Sequence, residues 1–191
     1  EMYTRMMMVR KKRQAAIESD APRELIDQAR AALYRGQCNC AYWHGAFGGV
    51  YLPHLRNAIF SQLITADTLL NKALGKSDEW VEVNSDDYSF DGWQEVQLAS
   101  DRLVALLAPG KVGMLYELDI RSIAHNLLAT LTRKPEAYHC KVLAGCDDRN
   151  DVAGVMDKVI FKQDGLDERI QYDNHPRKSL VDHFYDPQTT L

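Results

Sequence analysis

No run of apolar residues in these 191 positions approaches the roughly 20 that a membrane-spanning helix requires. Nor does the N-terminus carry the apolar core or small-residue cleavage motif of a secretory signal. Cysteine is scarce: four residues in a chain of this length fit neither a disulfide-stapled secreted scaffold nor a repeated CxxC zinc framework. The expectation is a cytoplasmic protein without a membrane partner. Excess positive charge is missing too, the formal net charge being −4. The basic run Arg10, Lys11, Lys12 and Arg13 lies on a helical pattern, where four consecutive residues point in four directions. It therefore reads as solvated helix surface, and no nucleic-acid partner is expected. Glu1 opens directly onto that pattern with no initiator methionine or N-cap ahead of it, as a segment cut from a longer chain would.

What is present divides near Gly75. Ten Lys/Arg stand against six Asp/Glu up to that residue, a local net of +4, and thirteen against twenty-one follow, a local net of −8. The first part has helical periodicity. Met2, Met6, Val9 and Ala16 mark one helix, and Ser19-Asp20 with Pro22 reads as the N-cap pair and first turn of a second. That helix carries Leu25, Ile26, Ala29, Ala32 and Leu33 and stops at Gly36. A third starts at Pro53, with Leu55, Ile59, Leu63, Ala66, Leu70 and Ala73 on one side, and closes at Gly75. Beyond it the period shortens. EWVEVN, WQEVQLAS, RLVALLA and VGMLYELD are β-type runs between turn signals. SIAHNLLATL and PEAYHCKVLAG read as short helices, and IFKQDGL and RIQYD as hairpin material. The fold class expected is α+β: a bundle of about three helices over residues 1–75, then an incomplete antiparallel sheet over 76–191, part of a β-sandwich.

The most unusual stretch is QCNCAYWHGAFGGVYLPHLR, Gln37 to Arg56. Cys38, Cys40 and His44 offer soft or borderline metal ligands, but CxC is not the usual zinc spacing and no fourth ligand can be named. Cys40 and His44, four apart, resemble a thiol–base pair without an orienting carboxylate. Buried small hydrophobes are the better reading of both cysteines. Tyr42, Trp43, Phe47 and Tyr51 alternate with Gly45, Gly48 and Gly49, which suits either a sugar-stacking wall or a tight turn packing aromatics into the bundle. The residues leave these two even. His54, His125, His139, His175 and His183 have no ligand spacing among them. Asp86, Asp87 and Asp91 beside Gly92 lack the order of a calcium loop and read as a solvated turn. No metal or cofactor is expected.

GQCNCAYWHGAFGGVYLPHLRNAIF closely resembles the last signature region of glycoside hydrolase family 57, in its 4-α-glucanotransferase and α-amylase branch. The family pattern there runs Gln-Cys-Asn-Asp-Ala-Tyr-Trp-His-Gly, then Phe-Gly-Gly and Tyr-Leu-Pro-His-Leu-Arg. MYTRMMMVRKK resembles the preceding helix, and LTRKPEAYH and KSLVDHF resemble the start of the family's C-terminal sandwich, of galactose-mutarotase type. The resemblance implies a multi-domain retaining enzyme acting on α-1,4-glucans and maltooligosaccharides, with its catalytic carboxylates on an N-terminal β/α barrel. None of the barrel motifs occurs here, so no catalytic residue is expected in this chain. Residues 1–75 would flank the barrel and 76–191 would begin the sandwich. Asn39, Trp43 and His44 fall on cleft-facing positions, with Trp43 stacking on a glucosyl ring and Tyr42 and Gly45 shaping the turn. Cys40 stands where the family has an acidic residue. The alternative is a free-standing carbohydrate-binding or scaffolding module. An incomplete sheet also leaves an open edge on which a second copy can pair.

Overall fold

The computed structural model describes residues 1–45, 47–76, 78–143 and 165–188. Three long helices come first, α1 (Met2–Glu18), α2 (Arg23–Arg35) and α3 (Pro53–Ala73). They bury Val9, Ala16, Ala29, Ala32, Leu33, Ile59, Phe60, Leu63, Ile64, Ala66 and Leu70 against one another. Ser19 and Asp20 close α1 and do not cap α2. Asp20 takes φ 53, its N–H bonds the Ile17 carbonyl, and the Ala21 N–H reaches the Ala16 carbonyl. That is the double hydrogen bond of a Schellman ending, leaving Pro22 at the N-cap position. Gly36 ends α2 for a steric reason, because a Cβ there would lie 2.8 Å from the Leu63 side chain.

After α3 come five strands, β1 (Val81–Asp86), β2 (Glu95–Ser100), β3 (Leu103–Ala108), β4 (Met114–Ile120) and β5 (His125–Asn126). They pair antiparallel in sequence order, so the sheet is an open meander. A bulge between Leu106 and Leu107 shifts the β3–β4 register. Residues 122–131 are not a helix: Arg121–Ile123 makes one 3-10 turn and Ala124 turns left-handed at φ 47. The Asn126 side chain accepts from the N–H groups of Leu118 and Leu128, which favours the turn over a helix.

The chain forms two compact units, Glu1–Thr130 with Lys178–Leu191, and Leu131–Arg177. In the second, α4 (His139–Leu143) and α5 (Leu166–Arg169) are short, and the Asp173 carboxylate receives both Arg133 and Arg177. The short helix expected in PEAYHCKVLAG is thus present as α4. Ile170 to Asp173 forms no strand, and most of IFKQDGL lies outside the described residues. No helix among the described residues is long and apolar enough to cross a membrane. In the first unit the returning C-terminal segment pairs Ser179 with Leu115, and the almost buried Lys178 ammonium donates to Glu1 and to the Tyr116 and Leu128 carbonyls.

The sheet's two faces differ. Val81, Val83, Leu98 and Leu103 lie outward and exposed, in a cross-strand pattern where Val83 pairs with Leu98 and Leu98 with Ala105. The inner face carries acids: Glu95, Glu117 and Asp119 are buried there beside Val104 and Leu106. The cations that meet them come from the helices and from the turn after β4. Asp67 of α3 accepts from Lys12 Nζ at 2.5 Å, Arg121 Nη1 at 2.7 Å and Arg5 Nη2 at 3.4 Å. Arg5 Nη2 also donates to Asp119 at 3.0 Å, and its Nε lies 3.1 Å from Glu117. Lys12 thus departs from the solvated reading of the basic run, since its ammonium turns into the joint. Burial alone would raise the Asp67 carboxyl, but Arg5, Lys12 and Arg121 outweigh it and hold the group well below the usual carboxylate range. Glu117 goes the other way: burial, then repulsion from Asp119, pushes it well above its ordinary value. Both Glu117 oxygens and Asp119 Oδ1 lack a hydrogen-bond donor, which accords with a Glu117 carboxyl held protonated beside Asp119.

Asp67→Asn is expected to cost about 3–5 kcal/mol at neutral pH, because buried cations lose their common anion. The penalty should shrink as pH falls below about 3.9, where the unfolded chain takes up the proton that native Asp67 refuses. Urea unfolding of both forms across pH checks this, and a neutral-pH penalty under about 1 kcal/mol would contradict it. Glu117→Gln has the opposite window. The raised Glu117 favours folding below its unfolded value and loses that advantage as pH rises through its folded one. The amide variant should therefore gain on the parent as pH climbs from about 4.3. A pH-independent difference between the two would mean that Glu117 titrates alike in the folded and unfolded chain, and would contradict this.

Candidate functional site

The connection from α2 to α3 is built as two short 3-10 turns, Asn39–Tyr42 and Gly49–Tyr51, around a tight reversal. Ala41 points into the helical core and anchors the first turn. The Tyr42 hydroxyl donates to the Gly36 carbonyl at 2.5 Å, tying the turn to the end of α2, and burial raises its pKa to about 12. With those two residues turned inward, the others face solvent. Asn39, Cys40, Trp43 and His44 are all exposed, Trp43 at 39%. The Trp43 and His44 rings sit 4.9 Å apart and tilted by 54°.

The reversal is closed by a hydrogen bond from the Val50 N–H to the Trp43 carbonyl at 2.8 Å. Gly49 makes that closure possible. It adopts φ +45, and a Cβ there would lie 2.1 Å from the Trp43 carbonyl oxygen and 2.7 Å from that of Cys40. Only glycine meets both conditions. Arg56, on the first turns of α3 and 8% exposed, donates from Nη1 to the Val50 carbonyl at 2.6 Å and from Nε to the Ala129 carbonyl at 3.1 Å. Burial lowers its pKa, and its two acceptors here are neutral carbonyls.

Of the residues singled out from the sequence, Asn39, Cys40, Trp43 and His44 thus share one exposed turn, Tyr42 is half-buried behind it, and Gly45 supplies a left-handed corner at φ 56. Cys38 and Cys40 are exposed, unbridged thiols and not buried hydrophobes, because Ala41 takes the inward position of the turn. Phe47, one of the aromatics singled out in this stretch, is 93% exposed near the tip of the reversal. Arg56 was overlooked. It holds the base of the turn, and its signal was a basic residue at the i−3 and i−4 positions of Ile59 and Phe60, on the apolar stripe of α3. Such a surface offers a flat ring, an imidazole and an amide, with no carboxylate among the exposed residues of the turn.

The acidic turn after β1 is of another kind. Asp87, Asp91 and Glu95 place carboxylate oxygens within 4.8 Å of one another. Glu95 accepts from the Tyr88 and Ser89 N–H groups, Asp87 from those of Asp91 and Gly92, and Asp91 pairs with Lys111. Those bonds hold the β1–β2 connection in shape.

Family models match two parts of the chain. Residues 1–70 match the middle-domain model of alpha-amylase/4-alpha-glucanotransferase, and residues 87–191 match the C-terminal model of that description. The sequence is 35% identical to Alpha-amylase 1 of Dictyoglomus thermophilum over 191 residues, covering 100% of this chain and 26% of that protein. It is also 35% identical to the 4-alpha-glucanotransferase of Thermococcus kodakarensis, again covering 100% of this chain and 26% of that one. The crystal structure of 4-alpha-glucanotransferase from Thermococcus litoralis superposes with a TM-score of 0.70 at 31% identity, over 99% of this chain and 24% of the other. The chain therefore spans about a quarter of the length of the relatives it matches. It belongs to the alpha-amylase/4-alpha-glucanotransferase family, matching its middle and C-terminal regions.

Proposed function

We propose that this chain is a non-catalytic portion of a retaining α-1,4-glucan-acting enzyme of glycoside hydrolase family 57, and that residues 39–45 form one wall of its substrate cleft. The observation that carries this reading is the exposed turn: Asn39, Trp43 and His44 are presented outward by a base that Gly49 and Arg56 lock in place. Relatives named alpha-amylase and 4-alpha-glucanotransferase support the substrate class. On this reading residues 1–75 flank a catalytic barrel and 76–191 begin the sandwich, while the catalytic carboxylates belong to other parts of the enzyme. Trp43 offers its face to a glucosyl ring, and Asn39 and His44 reach the hydroxyls. Cys40 weakens hydrogen bonding at its position, since a thiol is a poor acceptor beside a carboxylate. The unbridged thiols of Cys38, Cys40 and Cys140 suit a cytoplasmic enzyme. The edge strand β1 offers a second copy a place to pair.

Titration calorimetry with maltoheptaose tests the wall. Trp43→Ala is expected to weaken binding about tenfold, ~1.4 kcal/mol, and unchanged affinity would remove Trp43 from the site. Gly49→Ala should weaken binding at least as much while leaving the helical core folded, because the added methyl forces the Trp43 and Cys40 carbonyls apart and re-aims the turn. Full affinity in that variant would mean that the turn's shape is immaterial to recognition.

A further inference from the structure

A second concave surface lies away from that turn. A groove of about 1050 Å³ runs between α1 and the β1 end of the sheet, at the upper end of the range of ~300–1000 Å³ usual for small-ligand sites. Its lining includes Asp67, which is fourteen residues along α3 from Pro53, about 21 Å at 1.5 Å per residue. The groove and the exposed turn are therefore served by different parts of the helical layer.

The walls of the groove differ in charge. The α1 side is mainly basic, with Arg10, Lys11 and Arg13 against Glu18, and the strand side mainly acidic, with Glu82, Asp86 and Asp87 against Lys76, which pairs with Glu82. Lys11 and Asp86 bridge them with an exposed ion pair at 3.1 Å. An anion entering here is attracted by one wall and repelled by the other, and a cation fares no better. What suits both walls at once is a neutral molecule rich in hydroxyls, which accepts from guanidinium and ammonium and donates to carboxylate. The amide side chains of Asn84 and Gln97 add donors and acceptors, and Arg13 Nε is buried without a hydrogen-bond partner. Tyr88 and Phe90 contribute the apolar surface that a sugar ring also needs, Phe90 being 64% exposed. The Asp87 side chain, bonded to the N–H groups of Asp91 and Gly92, fixes the turn that presents Phe90.

We propose that this groove is a second carbohydrate site that holds a segment of α-1,4-glucan remote from residues 39–45. The identity of the sugar rests on the glucan reading above, whereas the preference for a neutral polyhydroxylated ligand rests on the groove itself. Such a site keeps a long polymer attached while its end is engaged elsewhere, and its benefit grows with chain length.

Hydrogen–deuterium exchange of the protein with maltoheptaose, and with a β-linked cello-oligosaccharide as control, separates the two sites. Peptides covering residues 82–92 and 6–15 are expected to gain protection with maltoheptaose only, and to keep it in Trp43→Ala. Phe90→Ala, a change at an exposed position, should weaken that protection about tenfold in ligand concentration while sparing residues 37–52. High salt should leave the affinity nearly unchanged, as suits a neutral ligand. No protection at residues 82–92, protection that vanishes in Trp43→Ala, or a steep salt dependence would each overturn the proposal. Protection at 82–92 without any at 37–52 upholds the groove and removes the cleft wall, and the reverse pattern does the opposite.

Discussion

The joint between α1, α3 and the sheet depends on one buried carboxylate. Asp67, in the C-terminal half of α3, draws Arg5 and Lys12 from α1 and Arg121 from the turn after β4. Through Arg5 the same cluster continues to Glu117 and Asp119 on the inner face of the sheet. Three cations and up to three anions share the space, so the desolvation cost of each is offset by the others and not by water. Where apolar faces can slide over one another, this joint has directional bonds. The division of charge in the sequence, basic before Gly75 and acidic after, becomes in the fold a basic helix packed on an acid-lined sheet.

Periodicity made much of this fold legible. The three helices and the first four strands follow from apolar spacing and turn residues, because their local preferences agree with their tertiary roles. The joint was not legible for the reason that makes it work. Arg5 lies four residues before Val9, and Asp67 lies four after Leu63 and three before Leu70, so each occupies a core position with a charged side chain. Read singly, a charge in an apolar stripe is an irregularity. Its meaning appears only when partners 54 to 114 residues away arrive. The same blindness affected Lys12, hidden in a run that looked uniformly solvated. In the recognition turn, sequence resemblance pointed to Asn39, Trp43 and His44, but that Ala41 and not a cysteine faces inward depends on the phase of a four-residue 3-10 turn.

On the readings proposed above, the turn and the groove represent two ways of meeting a sugar. The turn offers a ring pair on a rigid base, suited to one residue in one orientation. The groove offers amides and charges of both signs over a longer path, suited to a chain whose register is free. On the proposed reading these residues supply binding surfaces, and the carboxylate pair that glycoside cleavage requires belongs to other parts of the enzyme.

Arg56 carries a consequence for how such enzymes diversify. Its guanidinium joins the Val50 carbonyl, at the base of the recognition turn, to the Ala129 carbonyl beyond the last strand. A recombination event that exchanged the sheet region between two relatives would leave every residue of the turn unaltered and still change the ground on which it stands. Natural or engineered chimaeras joined between the helical and β segments therefore inherit a turn resting on a foreign support. If that turn is the cleft wall proposed above, substrate preference can drift in them without a single substitution within it.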